Sequence, residues 1–299
     1  ESASFTFDTT TTVDSSGPDG FRKSLKITPD STQTPTGGQN AFIGHRIEGQ
    51  DLQDLCFGTS SAKKITISFY AKSSSQNNNH QYTLQIRKYD DSNNRNMVNR
   101  AFTVTSSWQR FIMTFDGDTA ENIRNDTSAG MQILWHLSTG PDDIHGASTT
   151  FGRTVNNSLY SGVTGQSNFM DNTSNEFYLT GVQLEVGDTA TPFEHRSLAE
   201  EKKLCERYYQ TYGFTTLMGS LAGQVGTPRI LFPTEMRDTP SVTVEYGSNG
   251  NGSFRNQNNG STLTGHTTFN YYTNGFDCRG NSGSANIIYS STYKAAAEL

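Results

Sequence analysis

Charge is scarce in this chain. Only 17% of its 299 residues are Asp, Glu, Lys or Arg, and the formal net charge is −6. There is no basic field to hold a phosphate backbone, so no nucleic-acid partner is expected. Cysteine is scarcer still. Cys56, Cys205 and Cys278 are odd in number and far apart, which fits neither a disulfide framework nor a CxxC metal site; they read as reduced, mostly buried thiols. No apolar run approaches the roughly 20 residues that cross a bilayer, so no membrane insertion is expected. The chain begins at Glu1 without a Met, and its start is uninformative about targeting.

Patterns that carry catalysis are also missing. The six histidines show no HxxxH or HxH spacing, there is no GxSxG elbow, and GSLAGQVG lacks the terminal Lys-Ser/Thr of a phosphate loop. Acidic residues do pair at Asp90/Asp91, Asp116/Asp118 and Asp142/Asp143. A glycosidase needs two carboxylates flanking a bond, but Asp at strand ends makes Asx-turns, and turn chemistry is the preferred reading. DGDTAENIRNDT opens like a calcium loop, yet Ala120 fills its fifth place and Thr127 its twelfth. Catalytic residues: none; metal ligands: none. The Asn-x-Ser/Thr triplets at Asn125, Asn172 and Asn251 read as chance in an Asn- and Ser-rich chain.

What is abundant points to strands. Aromatics reach 11% against 32% hydrophobic residues overall, with 28 glycines, and they recur on alternate positions, unlike a disordered chain. In KKITISFYAKSS, Ile65, Ile67, Phe69 and Ala71 share the face predicted to be core, opposite Thr66, Ser68, Tyr70 and Lys72. Tyr82, Leu84 and Ile86 alternate with Gln85 and Arg87, and Met131, Ile133, Trp135 and Leu137 with Gln132, Leu134 and His136. Phe111, Met113 and Phe115 follow Trp108. Both tryptophans are read at core parity and assigned to interior packing, large rings being major contributors to buried area; exposed, they would be sugar platforms. Residues 138–175 are rich in Gly, Ser, Asn and Thr, and a stretch this long is usually functional or poorly ordered.

The stretch from Phe177 to Tyr212 organises the rest. Phe177 and Leu179 fall on one parity and Val182, Leu184 and Val186 on the other, so a bulged strand is expected with its shift at Gly181. Ser197 and Glu200 form a capping box. Leu198, Leu204, Cys205, Tyr208 and Tyr212 recur at helical spacing, so a short helix is expected to run to Tyr212. The fold class is therefore all-β with one short α-helix.

VQLEVG, ATPFEHR and CERYYQ, in this order, resemble the junction found in many bacteriophage tail-fibre and related virion proteins. AFIGHRIEG, KKITISFYAKSS, FPTEMRDTPSVTV and the final AEL are similar to segments of the same proteins. The resemblance implies a jelly-roll β-sandwich like that of carbohydrate-binding modules over 1–195, a linking helix over 196–212 and a smaller, distal tip-like C-terminal β-domain over 213–299, with Leu299 as the natural terminus. It implies a non-enzymatic virion fibre component, displayed on the extracellular particle and assembled in the host cytoplasm, that attaches to a host surface glycan. It also implies a homotrimer with other virion proteins as partners. A structural capsid or tail decoration without sugar binding and a secreted bacterial carbohydrate-binding module are the alternatives. No cofactor is expected; a structural calcium stays open, although Thr180 and Gly181 stand where such modules often carry an acidic residue.

Two residue sets follow. If the jelly roll binds glycan across one sheet, Tyr70, Gln85, Arg87 and His136 supply a ring and planar hydrogen-bonding groups on the solvent parity. A helix this short is marginal alone, so Leu198, Leu204, Tyr208 and Tyr212 are the expected oligomer interface; packing on the chain's own domains is the alternative.

Overall fold

The computed structural model describes residues 7–89, 95–148, 150–153, 161–218, 220–221, 224–225, 227–248, 251–257, 260–263, 267–279 and 287–297. The chain divides into two compact units, Glu1–Glu194 and His195–Leu299.

The first unit is a jelly-roll sandwich of two five-stranded antiparallel sheets. Its strands are β1 (Thr9–Asp14), β2 (Ser24–Pro29), β3 (Asn40–Glu48), β4 (Ile65–Ser73), β5 (Gln81–Tyr89), β6 (Arg95–Thr103), β7 (Gln109–Phe115), β8 (Ala129–Thr139), β9 (Ile144–His145), β10 (Gly152–Arg153), β11 (Gly162–Val163) and β12 (Phe177–Val186). One sheet has the order β1-β2-β12-β4-β7 and the other β10-β6-β5-β8-β3, while β9 and β11 form a small parallel ribbon. Alternation in the sequence sets the core: Ile65, Ile67, Phe69 and Ala71 are fully buried, facing Leu84, Ile86, Phe102 and Trp135. Phe69 meets Trp135 edge-on at 5.6 Å and stacks on Phe111 at 5.3 Å. Each such side chain contributes about 1.5–3 kcal/mol of burial.

β12 contains the expected shift. Its pairing with β4 jumps between Thr180 and Gln183, which turns Val182 and Leu184 towards the same core that Phe177 and Leu179 enter. Gly181 sits at φ +59°, and a Cβ there would lie 2.7 Å from the Phe21 ring, so the bulge needs a glycine twice over.

The helix α1 covers Leu198–Glu206 and is capped as expected: Ser197 Oγ accepts from the Glu200 N–H, and Glu200 Oε2 accepts from the Ser197 N–H at 2.9 Å. It does not reach Tyr212. Tyr209 begins β13 (Tyr209–Met218), and pairing along the whole of that strand outweighs the helical spacing of the sequence. Tyr212 is thus a strand residue, opposite Tyr293, with its hydroxyl donating to Glu206. The expected helix of 196–212 is corrected to its first half.

After β13 the second unit continues with β14 (Ser220–Leu221), β15 (Gln224–Val225), β16 (Arg229–Leu231), β17 (Ser241–Glu245), β18 (Phe254–Asn256), β19 (Thr262–Leu263), β20 (Thr267–Tyr272), β21 (Gly275–Arg279) and β22 (Ile287–Ala296). β22 is its spine, pairing β13 on one edge and β17 and β18 on the other. β16, β21 and β20 form a second sheet, and Val244, Phe254, Phe276 and Tyr293 are fully buried or nearly so. The thiols differ from expectation. Cys278 is buried, Cys56 half-buried and Cys205 exposed, and all are free. No helix among the described residues is long and apolar enough to cross a membrane.

Candidate functional site

β5 was expected to keep one face in water, yet residues Tyr82 to Lys88 are all buried. The covering material comes from the described parts of the Gly/Ser/Asn/Thr segment after β8, around residues 140–148 and 161–168. It is tied down by backbone and side-chain bonds: Val163 N–H donates to Thr83 Oγ1 at 2.9 Å, Ser167 N–H to the Gln81 carbonyl at 2.8 Å, and Ser148 N–H to the Asn99 carbonyl at 2.9 Å. Gln81 Nε2 donates to the Thr164 carbonyl at 3.1 Å. Along β5 and β8 the outer face of the second sheet is therefore an interior polar layer, while β3 at its edge leaves Phe42 exposed.

Gln85 is the hub of that layer. Its Oε1 accepts from Arg87 Nη2 at 2.8 Å and lies 3.4 Å from His136 Nε2, while its Nε2 donates to Asn99 Oδ1 at 3.0 Å. Burial and the Arg87 charge push His136 down to about 3, so its ring is neutral; its Nδ1 has no hydrogen-bond partner among the described residues. Asp143, in the covering segment, is hydrogen-bonded to Ser161 and within Coulombic reach of His145 and Arg87. Burial raises its carboxyl above the usual range despite those neighbours. At the rim of this layer a cleft of about 240 Å³ opens between β6 and the covering segment, lined by Met97, Asn99, His145, Ser148, Thr150 and Gly152 among others.

The expected four-residue face is corrected here. Gln85, Arg87 and His136 do come together on β5 and β8, but they are sealed rather than solvated, and Tyr70 lies on β4 in the other sheet. Tyr70 packs against Phe21 at 5.2 Å, with the Arg110 guanidinium 6.0 Å from its ring. Sequence parity missed Asn99 on β6 and Asp143, His145 and Ser161; for the last three the signal was the long Gly, Ser, Asn and Thr-rich stretch of 138–175. The tryptophans also separate. Trp135 is core, whereas Trp108 shares the outward parity of Lys72, Tyr70 and Arg110, not that of Phe111, and is half-buried on the outer face of the first sheet.

Of the carboxylate pairs, Asp116 and Asp118 are both taken up by lysines. Asp118 is held by Lys88 at 3.1 Å and Asn96 at 2.9 Å, and Asp116 pairs with Lys64 at 3.4 Å. Asp90/Asp91 lie outside the described residues. Among the described residues no group of three His, Cys, Asp or Glu side chains is placed to hold a metal. Thr180 donates through Oγ1 to the Lys23 carbonyl.

No family model matches the chain, and no curated protein matches it. Among solved structures it is similar to the CBM22-1 xylan-binding domain of Xyn10C from Paenibacillus barcinonensis, at 12% identity and TM-score 0.32, covering 61% of this chain and 83% of that one. The family 11 carbohydrate-binding module of Lic26A-Cel5E from Clostridium thermocellum aligns at 14% identity and TM-score 0.31, covering 62% and 85%. The enzymatically active domain of bacteriophage CBA120 tailspike protein 4 aligns at 12% and 0.34, covering 60% of this chain but 18% of that one. Likeness this distant decides neither ligand nor role.

Proposed function

We propose that the chain is a non-enzymatic glycan-binding protein of the phage fibre type, with the cleft beside Asn99 as its sugar site. The observation that carries the glycan reading is the polar layer under the cleft: Asn99 forms the floor and is fixed from behind by Gln85, which is fixed in turn by Arg87. Hydrogen-bonding groups held rigid by their neighbours suit a hydroxyl-rich ligand. The cleft is slightly below the roughly 300 Å³ at which pockets for larger ligands begin, so a single sugar ring is the unit it accepts. Attachment to a host surface and a place on the virion rest on the VQLEVG, ATPFEHR and CERYYQ segments.

A structural decoration role is the second reading, favoured by the sealing of Gln85, Arg87 and His136. A glycan array on the full chain separates the two. Binding that is lost in Asn99→Ala supports the first; no bound glycan supports the second. The trimer belongs to the same proposal and is supported by the exposure of Leu198 and Leu204, at 86% and 51%. A mass three times 32.9 kDa that falls in Leu198→Ser/Leu204→Ser is the expected result, and a stable monomer at micromolar concentration removes it.

A further inference from the structure

Across the outer face of the first sheet, on the side away from the cleft, one ladder row reads Lys26, Tyr178, Lys72, Trp108. Lys26 on β2 is opposite Tyr178 on β12, Tyr178 is opposite Lys72 on β4, and Trp108 immediately precedes the β7 residue opposite Ala71. Cations and rings therefore alternate at the strand spacing. Lys72 Nζ lies 4.3 Å from the centre of the Tyr178 ring and 5.2 Å from that of Trp108, and Lys26 Nζ is 5.4 Å from Tyr178. The two rings meet edge-on at 6.1 Å.

The two lysines are not equivalent. Lys26 is paired with Glu176 at 2.5 Å, and Glu176 also accepts from the Tyr178 hydroxyl at 2.8 Å. Lys72 makes no ion pair among the described residues. Its charge is held over two π-faces, a weak restraint compared with a carboxylate, so an incoming anion gains a full partner without breaking an existing pair. Arg110 adds a further cation in the next row, opposite Tyr70. Asp14 and Glu176 act on Lys72, and Glu185 on Arg110, through charge, so the face is mixed in charge, with Lys72 a cation that has no ion pair among the described residues. A neutral sugar would use the half-exposed indole alone; a carboxylated one uses the indole and Lys72 together. The separation of Lys26 and Lys72, two strand spacings or about 9.5 Å, is of the order of two sugar rings.

We propose that this row is a second saccharide site, separate from the cleft, that takes carboxylate-bearing sugars: Lys72 pairs with the carboxylate, Trp108 packs on the apolar side of a ring, and the Lys26–Glu176 pair bounds the site. The test uses the full chain on immobilised oligosaccharides of uronic acids and sialic acids, with sulfated and neutral oligosaccharides as the other arms. Intrinsic fluorescence gives a second readout, because Trp135 is core and Trp108 is the outward one of the two tryptophans. Carboxylated ligands should bind and change the fluorescence, and Lys72→Met and Trp108→Ala should each weaken that binding about tenfold or more. Lys72→Arg should retain it, and Asn99→Ala in the cleft should leave it intact. The proposal is overturned if no carboxylated saccharide binds, if sulfated ones bind in their place, if Lys72→Met binds as well as the unaltered chain, or if Asn99→Ala is the variant that abolishes binding. Failure of the cleft reading leaves the Lys72 and Trp108 variants to decide this one alone.

Discussion

Lys88 and Asp118 form an ion pair at 3.1 Å whose side chains are 0% and 5% exposed, at the end of a strand whose preceding same-face residues, Leu84 and Ile86, are apolar core. The lysine ammonium also donates to the Glu121 and Asn122 carbonyls. Removing one partner strands a buried charge, so Asp118→Ala should cost about 3–5 kcal/mol in denaturant unfolding, while Lys88→Met with Asp118→Ala should recover much of it. A double variant as unstable as the single one would mean that the loss came from Asn96 or Ala120, not from the stranded lysine.

Acid acts on the same pair. Burial raises the Asp118 carboxyl, but the Asn96 and Ala120 hydrogen bonds and Lys88 outweigh it and leave it below its ordinary value of 3.8. Its contribution is therefore fully present above that value and disappears as pH falls through the lower folded value.

His136 titrates in a different window. Its folded pKa of about 3 lies below the ordinary 6.5, so the unfolded chain binds a proton between these values that the folded chain does not. Stability should fall as pH drops from 6.5 towards 3, at up to about 1.4 kcal/mol per pH unit. His136→Gln should flatten that slope, which unfolding curves at several pH values will measure; an unchanged slope would show that the imidazole is not the group responsible.

Gly181→Ala should destabilise the first unit by about 1–3 kcal/mol, combining a left-handed backbone with displacement of the Phe21 ring. Full stability in thermal unfolding would mean that the bulge can move along β12.

Thiol labelling of the native chain should modify Cys205 first, Cys56 more slowly, and Cys278 only on unfolding, since burial pushes the Cys278 thiol up to about 12. Early labelling of Cys278 would show that the β21 core opens readily.

Strand parity made the sandwich legible. Ile65 to Ala71 and Met131 to Leu137 alternate as core strands must, and Gly181 marked its own bulge. The helix end was not legible, because Tyr208 and Tyr212 fit a helical stripe as well as a strand, and only pairing with β22, some 80 residues later in the chain, decides between them. The site was half legible. Gln85, Arg87 and His136 were picked out by parity, but parity cannot tell water from a covering segment, nor which sheet a strand joins, so Tyr70 was grouped with the wrong partners. Trp108 failed differently: it reads as core parity next to Phe111, Met113 and Phe115, but it stands an odd number of residues from them and so faces the other way.

The place of β12 has a consequence for how the chain acquires its fold. Residues 177–186 form the strand that lies between β2 and β4, so the β1–β2 hairpin, though made first, has no sheet to join until nearly the whole unit has left the ribosome. Until then β2 and β4 each expose a bare edge to any neighbouring chain. Closure of the first sheet is then a late, long-range event, slow by its topology, and nascent chains stopped before Phe177 are the forms most prone to aggregate.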